Sequence, residues 1–432
     1  MVIERPILLE RLLQRKQNGR VKIITGLRRA GKSFLLTDIY IPHLKSCGVD
    51  EKHIISLSLE EIANSRYRNP FELDSFIRSK IPPEGPVYIF LDEIQKVEAV
   101  QNPYVPNKES LVTFVDVILG LMKIKGADIY ITGSNSKMLS SDIMTEFRGR
   151  GDEIQVHPLS YSEFLSGYDG DTHDAWRDYF TYGGLPGLIE CRTHEEKSTY
   201  LKELFENTYI RDILERNEIR REKSVLDSLL NVLASAVGSL TNSSVIANTF
   251  RSVEKINLKP ETIDTYISHF EDAFLIRTAQ RFDVKGRRYI GSQHKYYFED
   301  VGLRNARLGF RQTEEPHIME NVIYNELVFR GFDVDVGIVE YNYKDSDGAS
   351  RRTQLEVDFV ANSGSKRYYI QSALSLADEE KRRQEINSLS RISDSFKKIV
   401  ITKDNIIPHH DETGILHLPL EEFLLNPPSL DF

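Results

Sequence analysis

Residues 21–36 read VKIITGLRRAGKSFLL. A short, β-branched apolar run, residues 21–25, stops at Gly26. The segment Gly26-Leu-Arg-Arg-Ala-Gly31-Lys32-Ser33 then fits G-x-x-x-x-G-K-[ST], and apolar residues at helical spacing follow: Phe34, Leu35, Leu36 and Ile39. Strand, Gly-rich loop, helix is the order of parts that phosphate binding needs. The glycines let successive N–H groups turn inward toward phosphate oxygens, at the positive end of the next helix. Lys32 can reach β- and γ-phosphates and the Ser33 hydroxyl can bind Mg²⁺. Gly26, Arg28, Arg29, Ala30, Gly31 and Phe34 complete the candidate nucleotide-binding set, and the two arginines add positive charge to the loop.

The chain of 432 residues is long enough for two to four domains. Its net charge of −9 excludes a globally basic nucleic-acid binder, so any such contact must be local. Two cysteines, Cys47 and Cys191, are too few for a disulfide framework or a zinc site. The first twenty residues carry charge too early and too often for a signal peptide, and no apolar run reaches the length of a membrane span. The expectation is a cytoplasmic protein with no membrane contact.

Residues 7–16 have the spacing of an amphipathic helix, and residues 53–60 (HIISLSLE) alternate like a strand. A helix is predicted over 71–81, ended by Pro82-Pro83. Residues 87–93 (VYIFLDE) form a continuous apolar run ending in two carboxylates, as in a strand buried in a parallel sheet. Its acids fall at the carboxyl end, where such sheets bind ligands. Asp92 is placed to hold Mg²⁺ opposite Ser33, and Glu93 to polarise an attacking water. Residues 95–110 read as a loop and 111–125 as a helix. A strand, 128–132, leads into Ser134 and Asn135, the candidates for sensing a γ-phosphate. Arg150, and second Arg148, precede a strand over 153–157 and are candidates to stabilise a neighbouring subunit's γ-phosphate.

GLRRAGKS, FLDEIQ, ITGSNSKML, FRGRGDEIQVHPLSYSEFL and YFTYGGLPGL together resemble the bacterial and archaeal AAA-type P-loop ATPases. The resemblance implies an α/β protein: a parallel-sheet ATPase core over 1–165, a helical lid over 166–222, a winged helix over 223–299 and a PD-(D/E)xK nuclease-like domain over 300–432. It implies ATP and Mg²⁺ as cofactors. It also implies a lid motif at Gly183-Gly184-Leu185-Pro186, with Pro186 near the adenine. Helices through 226–279 followed by a hairpin with Lys285, Arg287 and Arg288 at its tip fit the winged helix. Glu261, Asp264, Glu271 and Asp272 on the helix before that hairpin oppose a DNA duplex, so a protein partner is the stronger expectation there.

In the last segment a helix glutamate (Glu320 or Glu326), Asp358 on a strand and Gln371 on the next strand resemble the nuclease motif. Ala373 stands where that motif has lysine, which implies a degenerate scaffold for partner binding or self-association. Residues 378–387 (DEEKRRQEIN) read as a solvated helix face. The expected function is ATP binding and hydrolysis with Mg²⁺, driving a conformational change on a macromolecular partner; a homo-oligomer is compatible with it. The alternatives are an ATP-regulated nuclease or DNA-binding defence protein, and a nucleotide switch with little turnover.

Overall fold

Strand β1 (Val21–Thr25) is buried along its whole length, because it lies in the interior of a parallel sheet. The computed structural model describes residues 2–105, 110–133, 147, 149–216, 223–311, 314–344 and 350–432. With β2 (Ile54–Ser58), β3 (Val87–Asp92), β4 (Ala127–Thr132) and β5 (Gly151–Gln155), β1 forms a five-stranded sheet in the order β2-β3-β4-β1-β5. All four pairings are parallel; Ile23, for example, sits opposite Ile131 on one side and Glu153 on the other.

The two-residue period of the strands gives the sheet two different cores. On one face Val21, Ile23, Ile89, Leu91, Ile129 and Ile131 pack with Leu73, Ile77, Ile118 and Leu121 from helices Pro70–Lys80 and Phe114–Leu121. On the other, Tyr130 stacks on Phe90 at 4.9 Å and its hydroxyl lies 2.8 Å from that of Tyr40. Buried Lys22 pairs there with buried Asp128.

Two helix and loop expectations are revised. The helix expected from 111 begins only at Phe114, where Thr113 and Asp116 make a reciprocal capping box. Leu111–Val112 instead pairs with Val100–Gln101 inside the expected loop. After Lys32–Phe34 the helix continues as a π-helix over Leu35–Tyr40 before returning to α-helix at Ile41–Ser46.

The chain divides into two compact units, Met1–Pro158 and Leu159–Phe432. The second contains helices Lys223–Ser235, Ser243–Thr249 and Pro260–Asp272, then an antiparallel pair, β6 (Ile276–Asp283) and β7 (Arg288–Phe298). His294 of β7 also bridges Thr241. Strands β8 (Asp333–Lys344), β9 (Ser350–Ser363), β10 (Lys366–Ala373), β11 (Lys397–Thr402), β12 (His409–His410) and β13 (Leu416–Pro419) follow. Together they make one eight-stranded sheet, ordered β12-β13-β11-β10-β9-β8-β6-β7. The hairpin β6-β7 is therefore an edge of the C-terminal sheet, joined through the parallel β6–β8 pairing at Val336, Gly337 and Ile338.

Candidate nucleotide-binding site

The loop after β1 has the shape its glycines require. Gly26 has φ +126°, and a Cβ there would stand 2.1 Å from the Val156 carbonyl oxygen. Gly31 has φ 95°, and between them Arg29 also takes a left-handed conformation, φ 67°. Such alternation turns backbone N–H groups into one concavity. The loop is also held from behind. Buried Arg5 donates to the Ala30 carbonyl at 3.3 Å and to the His157 carbonyl at 2.9 Å, a role nothing in the local sequence announces.

Lys32 is buried, and its Nζ donates to the carbonyls of Gly26 and Leu27 at 3.0 Å each. Burial lowers its pKa to about 8, with Glu93 and Asp92 pulling the other way. The Ser33 hydroxyl donates to Asp92 Oδ1 at 2.7 Å. Thr132, buried at the end of β4, donates to the same carboxylate oxygen and accepts from the Glu93 N–H at 3.2 Å. Thr132 thus ties both acids together, a role the strand pattern of 128–132 does not reveal. Glu93 sits at φ 55°, leaving the strand through a short 3₁₀ turn, Ile94–Lys96, that is anchored by buried Ile94.

Among the other candidates, Arg28 is half-buried, Arg29 and Phe34 are exposed, and Ala30 is buried. The Arg150 carbonyl accepts from Val21 and its side chain is exposed. Ser134, Asn135 and Arg148 lie outside the described residues. Pro186 starts a 3₁₀ helix, Pro186–Glu190, in the second unit. The adjoining Gly183-Gly184 turn makes close backbone approaches. A Cβ on Gly184 would meet the Leu159 carbonyl at 2.2 Å, and its N–H donates to Asp300 at 2.8 Å.

A second polar cluster lies in the C-terminal sheet. Lys295 on β7 is buried, with Nζ 2.8 Å from Glu320, 2.6 Å from Glu356 and 3.4 Å from Asp358. The Tyr297 hydroxyl donates to Glu320 at 2.6 Å, and the Asp358 N–H to Gln371 at 3.4 Å. Burial lowers the Lys295 pKa, but Glu320, Asp358 and Glu356 more than reverse this and leave it raised. Of the two helix glutamates, Glu320 belongs to the cluster, whereas Glu326 pairs with Arg330 at 2.7 Å. The 378–387 segment is not wholly solvated: Glu385 reaches Gln371 at 3.3 Å. Among the described residues no group of three or more His, Cys, Asp and Glu is arranged to hold a metal ion.

Sheet order, phosphate loop and paired acids define the first unit as an α/β P-loop domain of the AAA ATPase class, and residues 18–165 match the family described as AAA domain. Residues 173–314 match a domain of unknown function (DUF8612). The chain belongs to the same family as an uncharacterized protein of Haemophilus influenzae, to which it is 31% identical over 407 residues, 93% of either chain. It is also 26% identical over 412 residues to uncharacterized protein MJ1544 of Methanocaldococcus jannaschii, covering 91% of this chain and 83% of that one. A Walker-type ATPase of Pyrococcus abyssi is similar in structure, with TM-score 0.47 and 14% identity over 71% of this chain and 96% of that one. Among the described residues no helix is long and apolar enough to cross a membrane.

Proposed function

We propose that this chain binds ATP with Mg²⁺, hydrolyses it, and uses the cycle to change the conformation of a macromolecular partner. One observation carries the reading: the hydrogen bond between Ser33 and Asp92 joins the phosphate loop to the end of β3, where Glu93 follows. Hard oxygen donors of this kind suit Mg²⁺, which takes one or two carboxylates and keeps waters and phosphate oxygens for its other positions. Held by Ser33 and Asp92, the ion would neutralise charge on the β- and γ-phosphates.

Lys32 exchanges its two loop carbonyls for phosphate oxygens, and Glu93 polarises the attacking water. Asn135 is the proposed γ-phosphate sensor, and Arg150 the cation offered to a neighbouring site in a homo-oligomer. Loss of turnover with unchanged ATP binding in Arg150→Ala is the expected signature of that role. Pro186 keeps its proposed place near the adenine on the resemblance alone. The test of the whole reading is Glu93→Gln, which keeps shape but removes the base. ATP affinity by calorimetry should stay within twofold while phosphate release slows by about 10²–10⁴. Equal release rates in the two proteins would refute hydrolysis by this site.

An ATP-regulated nuclease is the second reading, favoured by one observation: Lys295 brings to the carboxylates the ammonium that Ala373 lacks. Against it, the ammonium neutralises the carboxylates that would otherwise attract a cation, and a scaffold for a protein partner fits this arrangement better. The basic hairpin tip is partly engaged as well: Lys285 donates to the Glu340 carbonyl at 2.9 Å, and Arg288 lies 3.6 Å from Asp283. Nicking of supercoiled plasmid with Mg²⁺ or Mn²⁺, abolished in Asp358→Asn, would favour the nuclease and its DNA partner.

A further inference from the structure

Two residues beyond Glu93, the 3₁₀ turn brings Gln95 back beside it. The Gln95 amide nitrogen donates to Glu93 Oε2, and the Gln95 amide oxygen is buried with no hydrogen-bond partner among the described residues. A buried acceptor left unpaired is unfavourable, so the amide's position is explained by its donor end. Turning the amide over would set its oxygen against a carboxylate. Glu93 itself sits in a left-handed conformation uncommon for a residue with a side chain. Backbone strain of this kind persists where surrounding contacts enforce it. Here the Thr132 hydroxyl holds the Glu93 N–H and the Gln95 amide holds its carboxylate.

We propose that Gln95 is a positioning residue for hydrolysis: by engaging one oxygen of Glu93 it aims the other at the attacking water. This rests on the hydrolysis reading above. A carboxylate held at one oxygen has a fixed second oxygen, and a base must lie within hydrogen-bond reach of the proton it takes. Without Gln95 the carboxylate loses this anchor and is held less firmly in line.

The test uses the full chain, with Mg²⁺-dependent phosphate release for turnover and calorimetry with a non-hydrolysable ATP analogue for binding. Gln95→Leu should lower kcat by about 10- to 100-fold with analogue affinity within twofold. In a Glu93→Gln background the same change should cost less than twofold, because the two side chains act as one unit. Gln95→Glu keeps the shape but donates only when protonated, so its activity should move to lower pH than wild type. If wild type turns over, Glu93→Gln does not, and Gln95→Leu stays within twofold of wild type, this inference is overturned alone. Additive effects of the two substitutions overturn it equally. Absence of turnover in wild type removes the hydrolysis reading and this one with it.

Discussion

The Lys32 ammonium rests on the carbonyls of Gly26 and Leu27 and holds its proton weakly, with a pKa of about 8 set first by burial. The sign of the consequence for binding follows. Phosphates bind the charged form, so above pH 8 ATP must recruit a proton, and affinity falls as pH rises. For one linked proton the loss between pH 7 and 9 is about tenfold. Calorimetry at pH 9 in buffers of different ionisation enthalpy should register uptake of nearly one proton, absent in Lys32→Met; a flat pH profile would contradict it. For folding, the unfolded lysine titrates at 10.5, so the cost of burying its charge is full below pH 8 and is relieved between about 8 and 10.5. Lys32 and Ser33 were legible from the spacing of the phosphate loop, and Asp92 from its place at the carboxyl end of an apolar strand run. Thr132 and Arg5 were not. Thr132 looks like one more strand residue, and Arg5 reaches Ala30 across 25 residues through a contact that only folding creates.

Helix Val301–Arg307 depends on Asp300 for more than its start. One carboxylate oxygen caps the Leu303 N–H at 3.0 Å and the other accepts from Gly184 at 2.8 Å, while Gly302 packs against the Tyr182 carbonyl with no room for a Cβ. Burial raises the Asp300 pKa from 3.8 to about 6, against the hydrogen bonds that favour its charge. The folded state therefore holds the proton better than the unfolded state. Its contribution to stability declines as pH rises through roughly 4 to 6, by about 3 kcal/mol over those two units. Asp300→Asn has no such slope and loses one acceptor. It should be less stable than wild type at pH 4, with the gap narrowing by pH 7 in urea titrations; a constant gap would show that Asp300 is charged throughout. In sequence the Gly-Gly-x-Pro turn was legible as a site of close approach, but its partner was not, because residue 300 lies 116 positions away. Lys295 was hidden in the same way: KYYFE has the pattern of a hairpin strand, and only the sheet order carries its ammonium to Glu320 and Asp358.

At the scale of the whole chain, the second sheet takes strands from both sides of residue 300, so a piece ending at 299 cuts that sheet in two. Strand β6 would lose β8, its parallel neighbour at Val336–Ile338, and expose an unpaired edge. Lys295 would lose Glu320, Glu356 and Asp358 together. The segments that carry these partners are also the ones packed against Lys295, so the cut opens this buried region to water, and a domain is normally stable by only about 5–15 kcal/mol. Residues 1–299 are therefore expected to aggregate, or to melt without a cooperative transition from their 159–299 part. Separate pieces 1–158 and 159–432 keep their sheets whole and should each melt cooperatively. Circular dichroism and gel filtration on the three pieces decide the matter. If 1–299 melts as sharply as the full chain, the hairpin module stands on its own. The division near 299 that the resemblance implies would then be the physical one.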